Sequence, residues 1–458
     1  MSVYNSKVWS IRFATPFFKL ILLFSFLLCV DVLLFLVYIT VNDNFQTVFL
    51  SDKKFYDFII FLFKIIIIGY LIAVVIGIVY PIEKKISCMV RTRLFSFEYG
   101  NPLKLKDGER LPSVKCERLN DDKYLLSVKA VNATVEDIQS VSSFISSNLY
   151  GKFKNYAVTV IDTDIAMNEV RFTLEDVTVD RSFKYDRVEE MRPETPTLLK
   201  VQNNANIDLT TSGSMLVAGK TRSGKTTGII SLILQVLLNG RDNHGSSVLI
   251  IDPKQAELSQ LPHVVSLDED GEARQVLQSI KEFADVIKKR QKVLNELSVK
   301  KGDAVHWWDN EADFKVNLLF IDEYVSLRSL FPKKAEKDSD YCIATFDALL
   351  KRIVTMGAST GSYVILSIAQ SSVGEGGLPS MLKDAMSTKI LFRPTLTEAR
   401  LMWESDKLQT LAERVYNAGD AWFSSTDGVH DDVSYVRFPL MNFSVYSELG
   451  RLLSDYYD

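Results

Sequence analysis

The octapeptide Gly219-Lys220-Thr221-Arg222-Ser223-Gly224-Lys225-Thr226 constrains this chain more than any other stretch. It reads G-x-x-x-x-G-K-[ST]. An apolar run, Met215-Leu216-Val217-Ala218, precedes it, and a helix-like run over 228–238 follows. Strand, glycine loop and helix in that order are the context in which such a loop wraps a phosphate. The glycines let backbone N–H groups curl inward, and the helix points its positive end at the same place. The expected nucleotide-binding residues are Gly219, Lys220, Thr221, Arg222, Ser223, Gly224, Lys225, Thr226 and Thr227. Lys225 would reach the β- and γ-phosphates of ATP, and Thr226 would offer its hydroxyl to Mg²⁺.

A second stretch supports the first. Leu318-Leu319-Phe320-Ile321-Asp322-Glu323 is an apolar strand ending in two carboxylates, the Walker B pattern. Asp322 would serve the Mg²⁺ and Glu323 would polarise the attacking water, so Lys225 and Glu323 are the expected catalytic pair. Apolar runs at 215–218, 248–251, 318–321, 364–368 and 388–392 alternate with amphipathic segments. That alternation predicts an α/β fold, a mostly parallel sheet with helices on both faces. No base-reading N-K-x-D motif follows the Walker B strand, which favours ATP over GTP.

The chain has 458 residues and a net charge of −4, so any nucleic acid must meet a local surface rather than a basic protein. Cys29, Cys88, Cys116 and Cys342 are scattered without C-x-x-C spacing, which argues against a disulfide framework or a zinc site.

Two apolar runs, 20–41 and 58–80, each have the roughly 20 residues that a membrane span needs. Lys7, Arg12 and Lys19 precede the first, and Lys84, Lys85, Arg91 and Arg93 follow the second. Positive flanks predict a two-helix transmembrane hairpin in the cell membrane, in contact with lipid, with both termini in the cytoplasm. Each run holds one ionisable residue, Asp31 and Lys64, which would pair or, for Lys64, snorkel.

The expected organisation is therefore a cytoplasmic N-terminus (1–19), two transmembrane helices (20–82), a basic juxtamembrane linker (83–113), a small α/β adaptor domain (114–190) and a motor domain (191–458). Within the small domain, 124–128 reads as a strand, and 135–149 as a helix capped by Thr134. A hairpin is expected to turn around 164–168. Arg192-Pro193-Glu194-Thr195-Pro196 reads as the linker into the motor.

Further residues carry a family resemblance. Leu216-Val217-Ala218-Gly219, Asp252-Pro253-Lys254-Gln255-Ala256-Glu257-Leu258, Asp322-Glu323-Tyr324, 351–357 with 364–367, and Ala418-Gly419-Asp420-Ala421-Trp422-Phe423 occur in the order of motifs found in FtsK/SpoIIIE-type P-loop ATPases. The chain resembles these over about 200–440. The D-E-Y triplet, two spans, a small domain, one motor and an early stop are similar to the coupling proteins of Gram-positive integrative conjugative elements and plasmids. The resemblance implies a RecA-like motor that assembles as a homo-oligomer, a hexamer, and passes DNA towards a conjugation channel. Its partners would be DNA, a relaxase or relaxosome, and channel proteins. Chromosome or plasmid segregation, or the ATPase of a protein secretion system, are the alternatives.

The chain departs from the family at Ala358, where an arginine usually stands, and at Ala369-Gln370-Ser371-Ser372, where the sensor is usually Q-R-P. Gln370 could serve as sensor from a shifted position, and Arg352, Arg393 or Arg400 could supply a trans-acting arginine. A glycine-bearing loop over 371–383, with Gly374, Gly376, Gly377 and Lys383, would meet DNA phosphates without reading sequence.

Overall fold

The computed structural model describes residues 23–33, 36, 53–79, 82–94, 102–105, 112–120, 123–335, 339–369, 378–404, 408, 416–428 and 430–458. It divides into two compact units, Met1–Thr178 and Val179–Asp458.

In the first unit, 23–33 is helical and is followed by α1 (Lys53–Val79) and α2 (Ile82–Leu94). The multi-pass membrane placement and the transmembrane hairpin are corrected. Among the described residues, no helix is long and apolar enough to cross a membrane. The helix α1 runs for 27 residues and contains Lys64. Phe61, Ile65, Ile68, Leu71 and Ile72 on α1 are exposed. Asp31 is buried, its Oδ1 has no hydrogen-bond partner among the described residues, and no ion pair joins it to Lys64 there.

The rest of this unit is an antiparallel sheet in the order β1-β2-β4-β3: β1 (Val114–Arg118), β2 (Lys123–Lys129), β3 (Tyr156–Thr163) and β4 (Glu169–Asp176). Between β2 and β3 lie α3 (Val135–Ser140) and α4 (Ser142–Ser147), a single expected helix broken at Val141. Thr134 and Asp137 form a reciprocal capping box that starts α3. The alternation of β2 and β4 buries Tyr124, Leu126, Val128, Val170, Phe172 and Leu174 on one face. Ile86, Val90 and Leu94 of α2 complete that core, so the basic segment after 83 is packed helix here. Asp164 accepts the N–H groups of Asn168 and Glu169, which closes the β3–β4 turn at the expected place.

The second unit opens with β5 (Lys184–Tyr185) and a hairpin of β6 (Leu198–Gln202) and β7 (Ala205–Asp208). The 192–196 stretch lies within this unit. The main sheet follows: β8 (Met215–Gly219), β9 (Val248–Ile251), β10 (Val264–Val265), β11 (Asn317–Ile321), β12 (Ser362–Ile368), β13 (Thr388–Phe392), β14 (Asp420–Ser425) and β15 (Ser434–Arg437), with β16 (Leu440–Met441) pairing β5. Its order is β10-β9-β11-β12-β8-β13-β14-β15. From β10 to β13 every neighbour is parallel, and β14 and β15 are added antiparallel, so the sheet is mixed.

The helices are α5 (Lys225–Leu238), α6 (Arg274–Lys301), α7 (Tyr324–Ser329), α8 (Ile343–Met356), α9 (Ser380–Ala385), α10 (Leu396–Met402) and α11 (Val445–Tyr457). Strand residues alternate between two cores. Met215, Val217, Ile250, Phe320, Ile365 and Ile390 face α5 and α11. Leu216, Ala218, Ile251, Ile321, Leu366 and Leu391 face α6 and α8. A sheet covered on both sides explains why these strands read as unbroken apolar runs. The Tyr457 hydroxyl both accepts the Val248 N–H and donates to the Val248 carbonyl, at 3.1 Å each, and so occupies strand-edge groups of β9.

Candidate functional site

The loop 220–224 leaves the end of β8 and runs directly into α5. Gly224 has φ +90°, a left-handed conformation that a side chain would strain. A Cβ there would also lie 2.5 Å from the Gly419 nitrogen, so the loop packs backbone to backbone against the turn before β14. The Gly419 N–H donates to the Ser223 carbonyl at 2.9 Å. That turn is rigid because Asp420 accepts from the Asn417 N–H, the Tyr435 hydroxyl and Arg437 Nε, at 2.7, 2.9 and 2.7 Å. The start of α5 has no side-chain cap, and the buried Ser223 hydroxyl has no hydrogen-bond partner among the described residues. Uncapped N–H groups, a positive helix end and an unengaged hydroxyl at one loop fit a phosphate.

The strand order brings the second motif alongside. β12 lies between β8 and β11, and all three end at the same edge. Lys225 Nζ lies 3.2 Å from Glu323 Oε1 and donates to the Ile368 carbonyl at 3.2 Å. Lys254 Nζ lies 2.8 Å from the same Glu323 oxygen. Glu323 is buried, with φ 51° and ψ 56°. Left-handed backbone at a non-glycine residue costs on the order of 1–3 kcal/mol and persists only where its surroundings fix it. Beside it, the Ser367 hydroxyl donates to Asp322 Oδ1 at 2.9 Å.

The two carboxylates are tuned apart. Burial pushes Asp322 above the usual carboxylate range, and the Glu323 charge adds to this. Lys225, Ser367 and Lys254 oppose the rise without cancelling it. Burial also acts to raise Glu323, but the Lys254 and Lys225 ammonium groups more than offset it and hold Glu323 low. A high Asp322 beside a low Glu323 leaves one carboxylate that gains from a metal cation and one that is firmly ionised.

Of the other expected residues, Gly219 ends β8, Ser223 is buried, Thr226 is half-buried, and Lys220, Thr221, Arg222 and Thr227 are exposed. Lys220 makes a 3.7 Å ion pair with Glu398 of α10. Arg352 is not at this edge: its guanidinium donates to the Ala284 carbonyl of α6 at 3.2 Å. Arg393 follows Phe392, the sheet partner of Gly219, and is exposed. Arg400 is exposed on α10. Gln370 and the loop 371–377, with Gly374, Gly376 and Gly377, lie outside the described residues. Lys383 on α9 lies 3.8 Å from the Asp384 carboxylate.

Sequence reasoning missed Lys254 and Ser367 as members of the cluster. A signal was present for the lysine. Asp252-Pro253-Lys254 follows an apolar strand, and in a parallel sheet residues just past neighbouring strands meet at one edge.

Residues 179–373 match the FtsK/SpoIIIE family. The chain is 27% identical over 229 residues to the DNA translocase FtsK of Helicobacter pylori strain J99, covering 47% of this chain and 24% of the relative. It is 24% identical over 183 residues to the Ftsk domain-containing protein YdcQ of Bacillus subtilis, covering 40% and 34%. The chain thus spans about a quarter to a third of the length of these relatives. Among solved structures it is similar to the pCW3 conjugation coupling protein TcpA, at 16% identity and a TM-score of 0.47, covering 80% of this chain and 99% of that one. The match over 179–373 thus takes in the P-loop and the Walker B strand of the mixed α/β sheet.

Proposed function

We propose that this motor moves DNA, and that the chain acts as a coupling protein that delivers DNA to a conjugation channel. The observation that carries the motor chemistry is the meeting of Lys225, Lys254, Asp322 and Glu323 at one sheet edge. Lys225 would bind the β- and γ-phosphates of ATP, together with the backbone N–H groups of 220–226. Thr226 and Asp322 would hold Mg²⁺, which when bound neutralises phosphate charge. Glu323, already ionised, would orient a water and take its proton. Lys225 cannot serve Glu323 and a phosphate equally, so nucleotide binding would redraw this ion-pair cluster.

The match to DNA translocases supports DNA as cargo, and the Asp322-Glu323-Tyr324 triplet supports the conjugative branch. A homo-hexamer is proposed as the working form, with Arg393 or Arg400 as the trans-acting arginine, because both are exposed beside the P-loop elements. Relaxase and channel proteins would be its partners. The test is a mating assay on a strain lacking the chain. Wild type should restore DNA transfer, and Lys225→Ala at equal protein level should not. Transfer at the wild-type rate with Lys225→Ala would refute the motor role.

A further inference from the structure

The loop after β9 sends a lysine into the hydrolytic cluster, and the expected chemistry gives that lysine no task. Asp252, fully buried at the end of β9, accepts the N–H groups of Lys254, Ala256 and Ser259 at 3.0, 3.1 and 3.1 Å. Gln255 follows in left-handed backbone, φ 52°. The Lys254 backbone is thereby fixed next to the strand that carries Glu323, since the Asp322 N–H donates to the Ile251 carbonyl at 2.9 Å.

Lys254 Nζ then lies 2.8 Å from Glu323 Oε1, the atom that Lys225 reaches at 3.2 Å. A surface ion pair of this length would contribute little. Here the side chain of Glu323 is only 10% exposed while that of Lys254 is 47% exposed, so one partner is shielded and the other can move. The groups facing Glu323 are Lys225 from α5, Lys254 from the β9 loop and Asp322 beside it, just past β11. Tyr446 of α11 shares the neighbourhood of Asp322 and Asp252.

We propose that Lys254 is a positioning residue for hydrolysis: it holds the Glu323 carboxylate in place once Lys225 has turned to phosphate. This rests on Glu323 acting as the base. Two ammonium groups share one Glu323 oxygen. When nucleotide draws Lys225 away, one cation remains, so the carboxylate keeps its orientation. It follows from Lys225 having two possible partners and Lys254 having one.

The experiment measures ATP hydrolysis by the full chain, with Mg-ATP affinity by calorimetry. The proteins are wild type, Lys254→Met, Lys254→Arg, Glu323→Gln and the double variant Lys254→Met/Glu323→Gln. Lys254→Met should lower kcat about tenfold, a fraction of what a positioned base supplies. KM and Mg-ATP affinity should hold within about twofold. Lys254→Arg should keep most of the rate, and the double variant should be no slower than Glu323→Gln, because two groups acting as a unit are not additive.

Three outcomes overturn the proposal. An unchanged kcat means that Lys254 has no such role. A raised KM with weaker Mg-ATP binding makes it a nucleotide ligand. A lower kcat that Lys254→Arg does not restore, with losses additive to those of Glu323→Gln, makes its role structural. Wild-type hydrolysis by Glu323→Gln would instead remove the base reading itself, and this proposal with it.

Discussion

Before β9, β11 and β12, Asp242 and Arg290 form an ion pair almost sealed from water; past the ends of β9 and β11, Glu323 divides one oxygen between Lys225 and Lys254. The first arrangement is saturated. Arg290 donates to the Thr360 and His244 carbonyls at 3.0 and 3.3 Å as well as to Asp242. Asp242 also accepts the N–H groups of His244, Ser246 and Lys315. Four segments are tied to one another, and no partner can be exchanged without stranding a buried charge. The second arrangement is built the other way. Its carboxylate sits on strained backbone, and one of its cations is half in water. Similar charges make a latch where every bond is satisfied, and a reactive cluster where they are not.

That contrast can be broken from either end. The largest effect should come from the latch. Asp242→Ala leaves Arg290 buried without its counter-ion and should destabilise the fold by about 3–5 kcal/mol, read by chemical denaturation. At the reactive end, Lys225→Ala should cut ATP hydrolysis about a hundredfold or more while the unfolding midpoint stays close to wild type. Ser367→Ala frees Asp322 Oδ1 from its hydroxyl partner. It should raise the Mg²⁺ concentration needed for half-maximal hydrolysis by about tenfold, with little change in melting.

The smallest effect is on acid stability. Burial pushes the Asp242 pKa up, but the Arg290 charge and the backbone N–H groups more than offset it, and Asp242 ends below its ordinary value. A carboxylate lowered in the folded state stabilises above its unfolded pKa of about 3.9, and that stability is lost as pH falls through the lower folded value. Wild-type unfolding free energy should therefore drop below about pH 4, and Asp242→Ala should show a shallower drop.

The reactive end was the more legible of the two in the sequence. Gly219, Gly224, Lys225, Asp322 and Glu323 stand in short motifs whose spacing carries chemistry, and the apolar runs around them are strands as expected. Asp242 and Arg290 lie 48 residues apart in no motif, and only the folded loop before β9 brings them together. Lys254 lies between these cases: its tripeptide was visible, but its target depended on β9 lying next to β11, a neighbour relation that periodicity does not encode. The N-terminal runs read as membrane spans from their apolar length and positive flanks, and among the described residues no helix is long and apolar enough to cross a membrane.

We propose that the strand-end cluster is the ATP-hydrolysing site of a DNA-moving motor. ATP hydrolysis by the purified full chain, measured with and without DNA for wild type, Lys225→Ala and Glu323→Gln, tests it most directly. DNA should raise the wild-type rate, and both variants should fall to background while remaining folded. A wild-type rate indifferent to DNA, or hydrolysis by Lys225→Ala at the wild-type rate, would contradict it.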